Sequence, residues 1–141
     1  MARLGEAWDA FIVAVRRARA RARTGERDEG LTLSQYELVR TLTNGDGLPS
    51  GKLAELAGIA PATATQILDG LERAALIERS RSPGDRRTVT ITLTTKGRRQ
   101  VEQKRRRIAD RRRQFFESFA PEERAQTARL LRHITQVISE L

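Results

Sequence analysis

Ser50-Gly-Lys-Leu-Ala-Glu-Leu-Ala-Gly-Ile-Ala-Pro-Ala-Thr-Ala-Thr-Gln-Ile-Leu-Asp-Gly-Leu-Glu-Arg73 reads as two short helices and the turn between them. Ser50 stands where a cap belongs, and Leu53, Ala54, Leu56 and Ala57 give the first helix its apolar side. Gly58-Ile59-Ala60 is a tight turn, and Pro61 suits a first helical position because its missing N–H has no partner to lose there. The second helix, about 61–75, packs through Ala64, Ile67, Leu68, Leu71 and Ala75 and turns Ala62, Thr63, Thr65, Gln66, Asp69 and Arg73 outward. The period then changes. Ile77 to Arg81 is strand-like, Ser82-Pro-Gly-Asp85 is a turn, and Thr88 to Thr94 alternates, with Val89, Ile91 and Leu93 on one face and threonines on the other. Two short helices across a three-residue turn, followed by a hairpin, make a winged helix-turn-helix.

Outward from this unit, Thr32-Leu-Ser-Gln35 is a capping box that starts a helix over 33–42, with Tyr36, Leu38, Val39 and Leu42 inward. Asn44-Gly-Asp-Gly47 breaks the chain. Residues 4–23 form an amphipathic helix with a narrow stripe of Leu4, Trp8, Phe11, Val15, Ala18 and Ala22, followed by a polar loop over 25–30. Thr94 caps a long helix over 95–119, whose Val101, Ile108 and Phe115 recur every seventh residue and whose Phe115, Phe116 and Phe119 are expected in the core. A last helix begins at Pro121 and carries Leu130, Leu131, Ile134, Val137, Ile138 and Leu141. The fold class is therefore mainly α with a small β-hairpin wing. Residues 31–97 are the lobe, and residues 1–30 and 98–141 are dimerisation helices whose stripes need a twin chain to cover them. The competing expectation is that the two termini pack on each other.

Composition narrows the function. The 141 residues hold 27 Lys and Arg against 18 Asp and Glu, a formal charge of +9. Residues 96–141 alone carry 13 basic and 6 acidic groups, so most of the excess lies outside the lobe. A basic excess points to a polyanion such as double-stranded DNA. With no cysteine and His133 as the one histidine, thiolate or His-rich metal sites are excluded, and no metal or cofactor is expected. No apolar run approaches the roughly 20 residues of a membrane span, so a cytoplasmic protein with no membrane partner is expected. The scattered carboxylates and lone histidine offer no nucleophile with its base, and no enzyme is expected.

In a winged helix-turn-helix the second helix enters a major groove, which makes Ala62, Thr63, Thr65, Gln66 and Arg73 candidate base or phosphate contacts. Arg86 and Arg87 stand at the hairpin mouth, suited to a narrow minor groove, and Asp85 is placed to buttress one of them as an ion pair. The plainer alternative is a helical hairpin with solvated charges. Trp8, Phe11 and Tyr36 either line a crevice for a small effector or are ordinary core contacts. The runs Lys104–Arg107 and Arg111–Arg113 either add long-range attraction to DNA or form a solvated helix face paired with Glu102 and Asp110, the second being the favoured expectation.

Asp85-Arg-Arg87, followed by Val89-Thr-Ile-Thr-Leu-Thr-Thr-Lys-Gly97, resembles the wing signature of the MarR family of bacterial transcription regulators. Leu31-Thr-Leu-Ser-Gln35, Leu53-Ala-Glu-Leu-Ala57, Ile67-Leu-Asp-Gly-Leu-Glu72 and Leu76-Ile-Glu-Arg79 resemble the family's preceding elements. The resemblance implies a homodimer with interlocked terminal helices, Arg87 in the minor groove with Asp85 as its partner, and Thr65 and Gln66 on DNA. It also implies a pseudo-palindromic operator, a repressor's role and release by a small aromatic or phenolic ligand. Ala60, Gln66, Gly70 and Ala75 depart from residues frequent in the family, Ala75 standing where glycine is common. The alternative function is a non-specific architectural DNA-binding protein.

Overall fold

The computed structural model describes residues 2–24, 30–82 and 85–140. Side chains are described for these except Ala2, Arg19, residues 21–24, Ser82 and residues 85–88. The elements in order are α1 (Ala2–Thr24), α2 (Leu33–Val39), a 3-10 turn (Arg40–Asn44), β1 (Leu48–Pro49), α3 (Ser50–Ala57) and α4 (Pro61–Arg73). There follow β2 (Ile77–Ser82), β3 (Asp85–Leu93), α5 (Thr95–Glu117) and α6 (Pro121–Ser139). Two compact units divide the chain, Met1–Lys104 and Arg105–Leu141.

In the first unit, Leu31, Tyr36, Leu38, Val39 and Leu42 meet Leu53 and Ala54 of α3, Ala64, Leu68 and Leu71 of α4, and Ile77, Ile91 and Leu93 of the sheet in one buried core. Val101 of α5 is buried as well. The expected capping box is present: Gln35 N donates to Thr32 Oγ1 at 3.2 Å and Thr32 N to Gln35 Oε1 at 2.9 Å. The helix it starts does not run to Leu42 as expected. It tightens at Arg40 into a 3-10 turn and ends on Gly45, whose φ of +92° is a glycine conformation. Thr41, Thr43 and Asn44 are weak helix formers, and the tighter turn still brings Leu42 into the core.

Ser50 is not a cap but the first residue of α3, preceded by Pro49 with no side-chain cap. The cause is a third strand. Leu48 and Pro49 pair with Ile91 and Thr90, and the sheet order is β1-β3-β2, antiparallel throughout. The wing is thus one side of a small sheet rather than a free hairpin. α4 also ends earlier than expected, at Arg73, in a Schellman closure: Leu76 N donates to Leu71 O at 2.9 Å and Ala75 N to Glu72 O at 2.8 Å. Ala75 therefore turns out of the core with φ +57°, a left-handed conformation that glycine adopts without penalty. Its expected packing role is taken by Leu76, which is buried. Leu56 and Val89, assigned to apolar faces, are largely exposed.

Thr94 does cap α5: Gly97 N donates to its Oγ1 at 3.0 Å. In the second unit, Glu123 Oε2 accepts from Ala120 N at 2.8 Å, which seats the first turn of α6. Phe115 lies edge-on to Phe116 and Phe119, with ring centroids 5.3 and 5.2 Å away, yet it is 61% exposed rather than buried in a core. No residue of α6 is buried, and Leu130, Leu131, Val137 and Ile138 stand open to solvent. Among the described residues no helix is long and apolar enough to cross a membrane, and no cluster of His, Cys, Asp or Glu could hold a metal ion.

Candidate nucleic-acid interface

The helix-turn-helix is built from two left-handed or proline-set corners. Gly58, φ +64°, closes α3 with Gly58 N donating to Glu55 O and Ile59 N to Ala54 O, both at 3.1 Å. Pro61 then opens α4, and Ala64 N donates to Ala60 O at 3.0 Å with no side-chain cap. Ala64, Leu68 and Leu71, spaced by four and three, face the core, and the helical period sends Ala62, Thr63, Thr65 and Gln66 to the other side, where all four are exposed. Thr65 Oγ1 donates back to Pro61 O at 3.0 Å, which leaves its methyl and its two acceptor lone pairs for an incoming surface. Arg73 is exposed in the last turn, its Nε donating to Asp69 O at 3.3 Å.

The wing strands pair from Ile77 opposite Leu93 to Arg81 opposite Val89, with an irregularity between Arg81 and Ser82 before Ser82 meets Asp85. Ser80 Oγ and Thr90 Oγ1, 3.2 Å apart, join across the exposed face. The backbone of Asp85, Arg86 and Arg87 belongs to β3. Their side chains, and with them the expected Asp85–Arg87 ion pair, lie outside the described residues, as does Pro83-Gly84 of the expected turn.

Trp8 and Phe11 are neighbours on the exposed side of α1, ring centroids 6.2 Å apart, whereas Tyr36 is buried in α2. The helices α1 and α2 are in contact, but Tyr36 makes no ring contact with Trp8 or Phe11 among the described residues.

Two connections were not foreseen from sequence. Arg79 of β2 spans two acids of α4, Nη2 to Asp69 Oδ1 at 2.6 Å and Nη1 to Glu72 Oε2 at 2.9 Å. The available signal was that Asp69 and Glu72 are three apart on one helix face while Arg79 shares its pleat side with Ile77. The second is the joint between α4 and α5. Thr94 Oγ1 donates to Ala75 O at 2.8 Å, Thr94 N to Leu76 O at 3.1 Å and Lys96 Nζ to Ala74 O at 2.9 Å. A Cβ at Gly97 would overlap the Leu76 carbonyl oxygen, so only glycine permits this approach. The Leu93-Thr94…Gly97 pattern is thereby explained as a structural fastening.

Residues 31–89 match the family model described as MarR family, and an HTH-type transcriptional repressor of Mycobacterium tuberculosis is 36% identical over 69 residues. Over these residues the chain is similar to the MarR family. The match to the M. tuberculosis repressor covers 49% of this chain, and the chain spans about half (50%) of that relative's length. A solved MarR-family transcription regulator, SP03579, has the same fold as this chain, with a TM-score of 0.84 at 23% identity over 99% of this chain and 92% of its own. Bordetella bronchiseptica BpsR, whose DNA binding is regulated by 6-hydroxynicotinic acid, aligns at TM-score 0.69 and 26% identity over 90% of this chain and 91% of its own.

Proposed function

We propose that this chain is a MarR-family DNA-binding transcriptional regulator, a repressor and not an enzyme, that holds a pseudo-palindromic operator as a homodimer in the cytoplasm. The observation that carries this reading is α4 itself. Its inward residues anchor it in the core while Ala62, Thr63, Thr65 and Gln66 form an exposed, small and neutral row that can approach base edges closely. Arg86 and Arg87 are proposed to enter the adjacent minor groove, with Asp85 steadying Arg87, and Arg73 to meet phosphate.

Dimerisation is assigned to residues 1–30 and 98–141, with 31–97 as the DNA-binding lobe. The exposed apolar side chains of α1 (Leu4, Trp8, Phe11) and of α6 (Leu130, Leu131, Val137, Ile138) support it, since burying them gains about 25 cal/mol per Å2. Two copies place two reading helices about one DNA turn apart, which a palindromic site matches. Release by a small aromatic or phenolic ligand is supported by BpsR, and Trp8, Phe11 and Tyr36 are the proposed contacts. No metal or cofactor enters the proposal.

Selection of bound fragments from random duplex DNA tests the reading. Recovery of two inverted half-sites is the expected result, and Arg87→Ala should then weaken binding to the selected site by about 1–3 kcal/mol. The concentration of basic residues in 96–141 favours one other reading, an architectural protein that coats duplex through charge. Recovery of unrelated sequences, all bound with equal affinity, would establish that reading instead.

A further inference from the structure

We propose that Arg79 is a positioning residue for duplex reading: it neutralises the two carboxylates of α4 and yokes that helix to the wing, so that both meet DNA as one piece. This rests on the DNA-binding reading above and adds a residue to it. α4 carries Asp69 and Glu72 against a single cation, Arg73, so the helix proposed to enter a groove of a polyanion has an acidic balance of its own. Glu72 also stands in the last turn, where the helix dipole disfavours an acid. Both features become intelligible through Arg79. Its planar fork reaches Asp69 with one terminal nitrogen and Glu72 with the other, at 2.6 and 2.9 Å, a span that the point charge of a lysine cannot reproduce.

The location supports coupling rather than contact with DNA. Arg79 pairs opposite the buried Ile91 and shares its side of β2 with the buried Ile77, and its side chain is only 31% exposed. Arg81, two residues on and on the same side of the strand, is exposed and makes no ion pair among the described residues. The two arginines therefore divide the work: Arg81 is available to phosphate, and Arg79 is committed to the protein.

The test compares the full chain with Arg79→Gln, Arg79→Lys and Arg81→Gln. Each is measured on the duplex that the unaltered chain selects and on a scrambled duplex, over a range of salt, with amide hydrogen exchange of the free proteins. Arg79→Gln is expected to lose about tenfold or more on the selected duplex and far less on the scrambled one. It should keep the salt dependence and speed exchange in the last turn of α4 and in β2. Arg79→Lys should fail to restore the preference. Arg81→Gln should weaken both duplexes alike and lower the salt slope by about 1. Equal loss on both duplexes with a reduced slope for Arg79→Gln would make Arg79 a phosphate contact and overturn the proposal, as would an unchanged preference. If Arg79→Gln does not fold, Asp69→Asn with Glu72→Gln decides. Keeping the arginine but freeing it should tighten scrambled binding and reduce preference, and an undiminished preference overturns the proposal. If the unaltered chain selects no duplex, the functional reading fails on its own. The yoke is then judged by exchange alone, which stands if Arg79→Gln accelerates it and falls if it does not.

Discussion

The lobe and the flanking helices meet the same demand, to hide apolar surface from water, in opposite ways. Within 31–101 the lobe buries its main apolar side chains in its own chain: Leu38, Leu42, Leu53, Leu68, Ile77 and Ile91 are all less than 2% exposed. On α1 and α6 the same residue types recur at helical spacing and remain in solvent, with Leu4 at 67% and Leu130 at 57% exposure. Periodicity alone does not separate these cases. The difference lies in whether short turns return a second element to cover the stripe, as Gly58 and the Schellman closure at Ala75 do for α3 and α4.

That contrast can be broken most forcefully at α6. Leu131→Asp with Ile138→Asp should weaken self-association by about a hundredfold or more, seen as a shift to monomer in sedimentation at micromolar concentration, while exchange protection in the lobe stays as it was. A chain that already sediments as a monomer before substitution would show that these side chains need no twin. Leu68→Ala, in contrast, should cost the lobe about 2–5 kcal/mol in chemical denaturation, since it empties a site with no exposure. Gly97→Ala should cost about 1–3 kcal/mol, because the added methyl must push the first turn of α5 off the Leu76 carbonyl. The smallest effect has the opposite sign. Ala75→Gly relieves a left-handed alanine that costs roughly 1–2 kcal/mol, and it loosens the unfolded chain by roughly 0.4–1 kcal/mol. Thermal melting should therefore show a net gain of about 0.5–1 kcal/mol, and a loss would mean that the Cβ of Ala75 has a role of its own.

Much of the lobe was legible because its signals are local. The Thr32 cap, the Gly58 turn, Pro61 opening a helix, the Thr94 cap and the alternation of β3 each depend on a few adjacent residues. What escaped depends on residues far apart in the chain. Leu48-Pro49 becomes a strand only because Thr90 and Ile91 lie beside it, and that pairing also moves Ser50 from cap to first helical turn. The Arg79 pairs join β2 to α4 over ten and seven residues and would have needed the helix face and the strand side to be considered together. The exposed row Ala62, Thr63, Thr65 and Gln66 followed from the 3.6-residue period once the core face was known. Phe115 failed the same logic because a sevenfold repeat on α5 says which residues share a side, not what covers them.

Pro49 has one more consequence, for the rim of the sheet. β1 is the outer strand on its side, and an outer strand normally presents free backbone donors that can template pairing with a stranger. Here that strand is two residues long, and one of the two has no amide hydrogen to offer. At β1 itself the border thus ends almost as soon as it begins, and that strand offers a neighbouring molecule no ledge on which to extend a ladder.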